Sequence, residues 1–148
     1  MEIEIRFMLE ALNEARAAAA EGEVPVGAVV VREGKVIAKA HNRAEAEGDP
    51  RLHAEMLALA KAAEALGTRD LSSCVLYVTM EPCPMCAGAC LLYRIGAVAF
   101  GAYDKRAGAM GSAGDIANGA YGLTIPVIGG ILREECAALL TDFFKDKR

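Results

Sequence analysis

A chain of 148 residues fits one domain and can bury a core without disulfide staples. With 54% hydrophobic and 24% charged residues and a mean hydropathy of +0.26, it is not a disordered chain. A net charge of −4 argues against a protein that coats nucleic acid by bulk charge alone. In chain order, Ile5, Met8, Leu9, Leu12, Ala15 and Ala19 recur at helical spacing and predict an amphipathic helix closed by Gly22. Val26 to Val31 and Val36 to Ala40, separated by Glu33-Gly34-Lys35, predict a hairpin. A polar stretch through Gly48-Asp49-Pro50 follows, then a helix from Ala54 to Leu66 closed by Gly67.

Cys74 to Val78 reads as a buried strand, Pro84 as the first turn of a helix running to Tyr93, and Ala97 to Phe100 as a second buried strand. Eight of the 15 glycines fall between residues 101 and 130, a loop-rich stretch with one expected strand at Thr124 to Ile128. That stretch either borders a site or is a long connection. Cys136, Leu139, Leu140, Phe143 and Phe144 stripe a C-terminal helix. Alternating helices and strands without repeat or linker predict a single layered α/β domain over 1–148.

The N-terminus is charged and lacks the apolar centre of a signal peptide, and no run approaches the roughly 18 apolar residues of a membrane span. Five cysteines are an odd number for a disulfide scaffold. We therefore expect a soluble, reduced, cytoplasmic protein with no membrane partner, its cysteines ligands or core residues.

Two segments carry chemistry: His53-Ala54-Glu55 and Pro82-Cys83-Pro84-Met85-Cys86. Cys83 and Cys86 begin a predicted helix, so both sulfurs can face one point, and the helix N-terminus favours their thiolates. Alone, Cys-x-x-Cys also suits a redox pair. With His53 it makes three zinc ligands and leaves a fourth position for water, the arrangement of a catalytic site. A structural zinc site would want a fourth protein ligand, and the other histidine is His41. Glu55, two residues after His53, is placed to take that water's proton and pass it to a leaving nitrogen; this is the known signature of zinc-dependent base deaminases.

The chain resembles the cytidine deaminase-like superfamily, and within it the bacterial tRNA-specific adenosine deaminases. Beyond the two zinc segments, the matching residues include Glu23 to Val29, Asn42, Asp49-Pro50, Tyr77 to Glu81, Ala87-Gly88-Ala89, Arg94-Ile95-Gly96, Phe100-Gly101-Ala102 with Asp104, Gly111-Ser112, and Glu135 to Leu140 running into Asp142-Phe143-Phe144. The resemblance implies a three-layer α/β/α sandwich with a five-stranded mixed sheet, one zinc ion per chain, and a homodimer with active sites near its interface. It implies hydrolytic deamination of adenosine to inosine at the wobble position of tRNA, with the anticodon loop as partner. By the same resemblance Asn42 hydrogen-bonds the purine, Val26 walls the base pocket, the Ala54 N–H contacts the base, and Asp104 holds the nucleotide backbone. From the residues alone, Asn42 reads rather as a turn residue, Val26 as core and Asp104 as a loop cap; the family pattern is what favours function for Asn42 and Asp104.

Two departures concern the substrate. Where the family carries an Asn-His-Arg-like segment, this chain reads Ala117-Asn118-Gly119-Ala120-Tyr121-Gly122-Leu123-Thr124, and Tyr93 stands where serine is frequent. A deaminase of a free nucleobase or nucleoside (guanine, cytosine or a related heterocycle) shares the ligand pattern, although free cytidine deaminases usually place cysteine where this chain has His53. A zinc-stabilised binding module would have no use for Glu55. If RNA is the substrate, Lys105, Arg106, Lys145, Lys147 and Arg148 are candidate phosphate contacts; otherwise they are solvated surface. Cys74, Cys90 and Cys136 are expected in the core.

Overall fold

The computed structural model describes residues 2–145. The order of elements is helix α1 (Ile5–Ala20), strands β1 (Gly27–Arg32) and β2 (Lys35–His41), a short helix α2 (Ala44–Glu47) and helix α3 (Ala54–Leu66). Then come β3 (Cys74–Met80), α4 (Pro84–Leu92), β4 (Ala97–Ala102), β5 (Val127–Ile128) and α5 (Arg133–Lys145). The strands form one sheet in the order β2-β1-β3-β4-β5, antiparallel from β2 to β3 and parallel from β3 to β5. This is the expected five-stranded mixed sheet.

The near-continuous apolar runs of β1, β3 and β4 follow from burial on both faces. In β1, Val29 and Val31 pack with Phe7, Met8 and Leu12 of α1, whereas Ala28 and Val30 pack with Ala58 and Leu59 of α3. In β3, Val75 and Tyr77 share the first core, and Leu76 and Val78 share the second with Ala87 and Cys90 of α4. Helices α1 and α5 thus cover one face and α3 and α4 the other, giving three layers. Cys74, Cys90 and Cys136 are buried within them, as expected.

The β1–β2 hairpin closes through Glu33 and Gly34, both at positive φ (50° and 74°), the geometry that matches the twist of a two-residue hairpin. At Gly27 the constraint is space: a Cβ there would lie 2.1 Å from the Ala11 carbonyl oxygen and 2.4 Å from the Ala15 nitrogen, both in the backbone of α1. Gly27→Ala must push the helix off the sheet. We expect it to lower unfolding free energy by about 3 kcal/mol, the upper range for overpacking, measurable by urea denaturation.

Several boundaries depart from the sequence reading, those of β1, β2 and α4 by a single residue. β3 and β4 each run two residues past the predicted end, to Met80 and Ala102. β5 is confined to Val127–Ile128, because Pro126 has no N–H to give a ladder and Thr124 bridges Asn118 instead. Helix α2 forms in the polar stretch read as loop. No helix among the described residues is long and apolar enough to cross a membrane.

Candidate active site

The site lies where the N-termini of α3 and α4 meet beyond the ends of the central strands. His53 is the N-cap residue of α3 and Cys83 that of α4, and neither side chain caps its own helix, so both are free to face outward. Pro84 occupies the first turn of α4, where a missing N–H costs nothing. Cys86 follows within that turn. His53 Nδ1 lies 3.7 Å from Cys83 Sγ and 3.5 Å from Cys86 Sγ.

Tetrahedral zinc bonded to nitrogen at about 2.0 Å and to sulfur at about 2.3 Å would set N···S edges of about 3.5 Å. The donor set and its spacing therefore fit the ion. Among the described residues this is the one group of three or more such side chains whose ligand atoms fall within 4.8 Å of each other. His41 stands apart, with Nδ1 2.9 Å from Glu14 Oε1 and Nε2 3.1 Å from Glu21 Oε1.

Hydrogen bonding with the Cys86 thiol holds the Cys83 thiol down at about 4, and His53 acts in the same direction. The same bond, reinforced by burial, drives Cys86 up. Hydrogen bonding to Cys83 raises His53. Burial pushes the Glu55 carboxyl up to about 7. A carboxyl poised there can both take and give a proton at neutral pH.

A cavity of about 220 Å³ opens onto this cluster, lined by Val26, Asn42, His53, Glu55, Cys83 and Asp104 among others. Residues chosen from the sequence for metal, proton and substrate roles thus share one cavity. Cys86 is buried behind it. Ala54 is also fully buried, and its N–H donates to Asn42 Oδ1 at 2.8 Å. That donor, expected to reach the base, is taken in this structure. With the oxygen so engaged, Asn42 keeps its amide N–H groups for the cavity. Asp104 both lines the cavity and caps its own loop, its Oδ1 accepting the N–H groups of Arg106 and Ala107 at 3.0 and 3.2 Å.

Two buried carboxylates escaped the sequence reading. Glu81, 2% exposed, accepts the N–H groups of Asp104, Met110 and Ser112 at 3.0–3.1 Å and the Ser112 hydroxyl. It therefore fixes the 104–112 loop against the cavity, which it also lines. Glu23, 1% exposed, accepts the N–H groups of Glu45 and Ala46 at 3.0 and 2.7 Å and so nucleates α2. For Glu81 the available signal was a lone acid just past the mostly apolar run of β3, directly before Pro82-Cys83. Glu81→Ala leaves these loop donors without their acceptor. We expect a loss of about 2–4 kcal/mol by denaturant unfolding together with impaired activity.

Of the candidate phosphate contacts, Lys105, Arg106 and Lys145 are exposed, and Lys147 and Arg148 lie outside the described residues. The glycine-rich segment borders the site: Gly108 and Met110 fall within the loop that Glu81 holds.

Residues 1–102 match the family described as the cytidine and deoxycytidylate deaminase zinc-binding region. A Bacillus subtilis protein named tRNA-specific adenosine deaminase is 46% identical over 143 residues, covering 96% of this chain and 89% of the relative. A solved structure from a study of A-to-I editing by tRNA:A34 deaminases superposes with a TM-score of 0.86 at 38% identity, covering 93% of this chain and all of the other. A guanine deaminase from Nitrosomonas europaea superposes with a TM-score of 0.83 at 28% identity over 97% of this chain and 85% of its own. The chain belongs to the zinc-dependent cytidine and deoxycytidylate deaminase family.

Proposed function

We propose that this chain, as a single domain, deaminates adenosine to inosine at the wobble position of a tRNA. One observation carries the reading: a buried Glu55 carboxyl, a fixed Asn42 amide and the His53–Cys83–Cys86 trio face one cavity of about 220 Å³. That volume is below the roughly 300–1,000 Å³ of sites for drug-sized ligands, so it suits a base and not a whole nucleotide. A polynucleotide would deliver its target by splaying the base out of the loop.

His53, Cys83 and Cys86 would hold zinc, which supplies a Lewis acid that makes water a nucleophile at neutral pH. Glu55 accepts a proton from the attacking water through its carboxylate and returns a proton to the departing exocyclic nitrogen. Water is consumed, ammonia leaves, and carbon 6 gains its carbonyl. Asn42 donates to the purine and Val26 packs against its face. Ala54 acts through Asn42, because its N–H holds the amide oxygen. Asp104 keeps the loop beside the nucleotide backbone, with Lys105 and Arg106 next to it for phosphates.

The similarity to a tRNA:A34 deaminase over nearly both full lengths supports RNA over a free base. The likeness to a guanine deaminase supports the second reading, a free-base substrate. A side-by-side assay decides: inosine formation in an anticodon stem-loop with adenosine at the wobble position, against ammonia release from adenosine, guanine and cytosine. Turnover of a free base with none of the stem-loop would reverse the ranking.

We further propose a homodimer joined through the outer face of α4. Leu92 is 81% exposed and Tyr121 72%, and with Met85 and Leu123 they line one apolar groove. A monomer by light scattering at micromolar concentration would remove this. The five free thiols support a reducing, cytoplasmic setting.

A further inference from the structure

Directly before Asp104, at the end of β4, stands Tyr103. Its ring is 45% exposed and yet fixed. It packs edge-on against the buried Phe100, with centroids 5.1 Å apart at 86°, and the Arg133 guanidinium carbon sits 5.2 Å from its centroid. The ring rests against Gly129, where a Cβ would come within 2.4 Å of the Phe100 ring and 3.0 Å of the Tyr103 ring. An aromatic side chain held this way has little rotamer freedom left to lose when something stacks on it.

Beside the ring lies a cleft of about 370 Å³, lined by Phe100, Tyr103, Asp115, Asn118 and Ile125 among others. Its floor is apolar and its mouth offers an amide and a carboxylate. Met110 also lines it, and Met110 and Asp104 both donate N–H groups to Glu81, which lines the catalytic cavity. One buried carboxylate therefore holds the wall between the two recesses. Arg133, Lys105 and Arg106 make no ion pair among the described residues, so these cations are open to phosphates on a rim that Asp104 and Asp115 keep of mixed sign.

A flat surface, a guanidinium over it, edge-reading polar groups and unpaired cations form the set that receives an unpaired nucleotide. We propose that Tyr103 and Arg133 form the stacking platform for the base adjoining the reacting nucleotide, with the 370 Å³ cleft as its subsite. The inference rests on the RNA-loop reading above and adds a specificity-determining contact to it.

The test uses the zinc-loaded enzyme and hairpin RNAs in which the nucleotide on either side of the target adenosine is intact or abasic. Tyr103→Ala should raise KM for the intact hairpin about tenfold with kcat little changed, the size of one lost base stack. Tyr103→Phe should stay within about twofold, since the ring is kept. Removing the stacked base should cost the wild type a similar factor, and Tyr103→Ala should then add nothing. An unchanged KM in Tyr103→Ala on the intact hairpin overturns the proposal. So does an equal loss on intact hairpins and on both abasic hairpins, which would mark a merely structural role. If the wild type deaminates none of the hairpins, the RNA reading itself fails and the platform with it; wild-type turnover that ignores Tyr103 removes the platform alone.

Discussion

Glu55→Ala should retain zinc and fold while losing deamination by about 10²- to 10⁴-fold, the range for a positioned acid–base group. The side chain is 4% exposed and faces the cavity beside the metal trio, but it is not one of the three converging donors. Metal analysis and turnover should therefore separate: about one zinc per chain in the variant, with inosine formation nearly gone. The isosteric Glu55→Gln sharpens the test. Burial raises the carboxyl to about 7, which means that the charged form is costly where it sits. The amide relieves that cost, so the variant should melt no lower than the parent while remaining inactive. Near-normal turnover in either variant removes Glu55 from the reaction.

The second large effect is expected from Cys86→Ser. The thiol is fully buried and its sulfur lies 3.5 Å from His53 Nδ1. Its loss leaves two donors for an ion that needs three from the protein. Protein purified without chelators should hold about one zinc per chain, and the variant well under a tenth of that. Because the ion binds the folded state, its loss also lowers stability, by about 4 kcal/mol if free zinc stands a thousandfold above its dissociation constant. Elemental analysis and thermal melting with and without chelator check both parts. Parent protein without zinc would refute the assignment of the site.

Much of the site was legible because its chemistry is written in short local patterns. Cys83 and Cys86 are three apart at a helix start that Pro84 announces, and His53 and Glu55 open another helix, so local geometry alone aims these side chains. The strands β1, β3 and β4 were legible from unbroken apolar runs, which only two-sided burial explains. Gly67 and Gly22 marked helix ends through backbone conformations that other residues resist, with φ of +67° and +81°.

What escaped reading depends on partners distant in sequence. Helix α2 has only four residues and no side-chain cap at its N-terminus, where the Glu23 carboxylate some twenty residues earlier accepts the N–H groups of Glu45 and Ala46 instead. Glu81 looked like a strand-end charge until the loop 104–112 folded its N–H groups onto it. β5 shrank because its neighbours Asn118 and Thr124 found each other across a turn.

The sequence by itself determined the layered α/β class and marked His53, Cys83 and Cys86 as the side chains able to hold a metal, because these rest on hydrophobic period and on short spacings at helix starts. Only the tertiary structure shows that the Ala54 N–H donates to Asn42 Oδ1, that Glu81 braces the cavity wall, and that Tyr103 packs between Phe100 and Arg133 at its edge. These are contacts between elements, set by how the sheet brings the N-termini of α3 and α4 together with the loop after β4, and no local pattern encodes them.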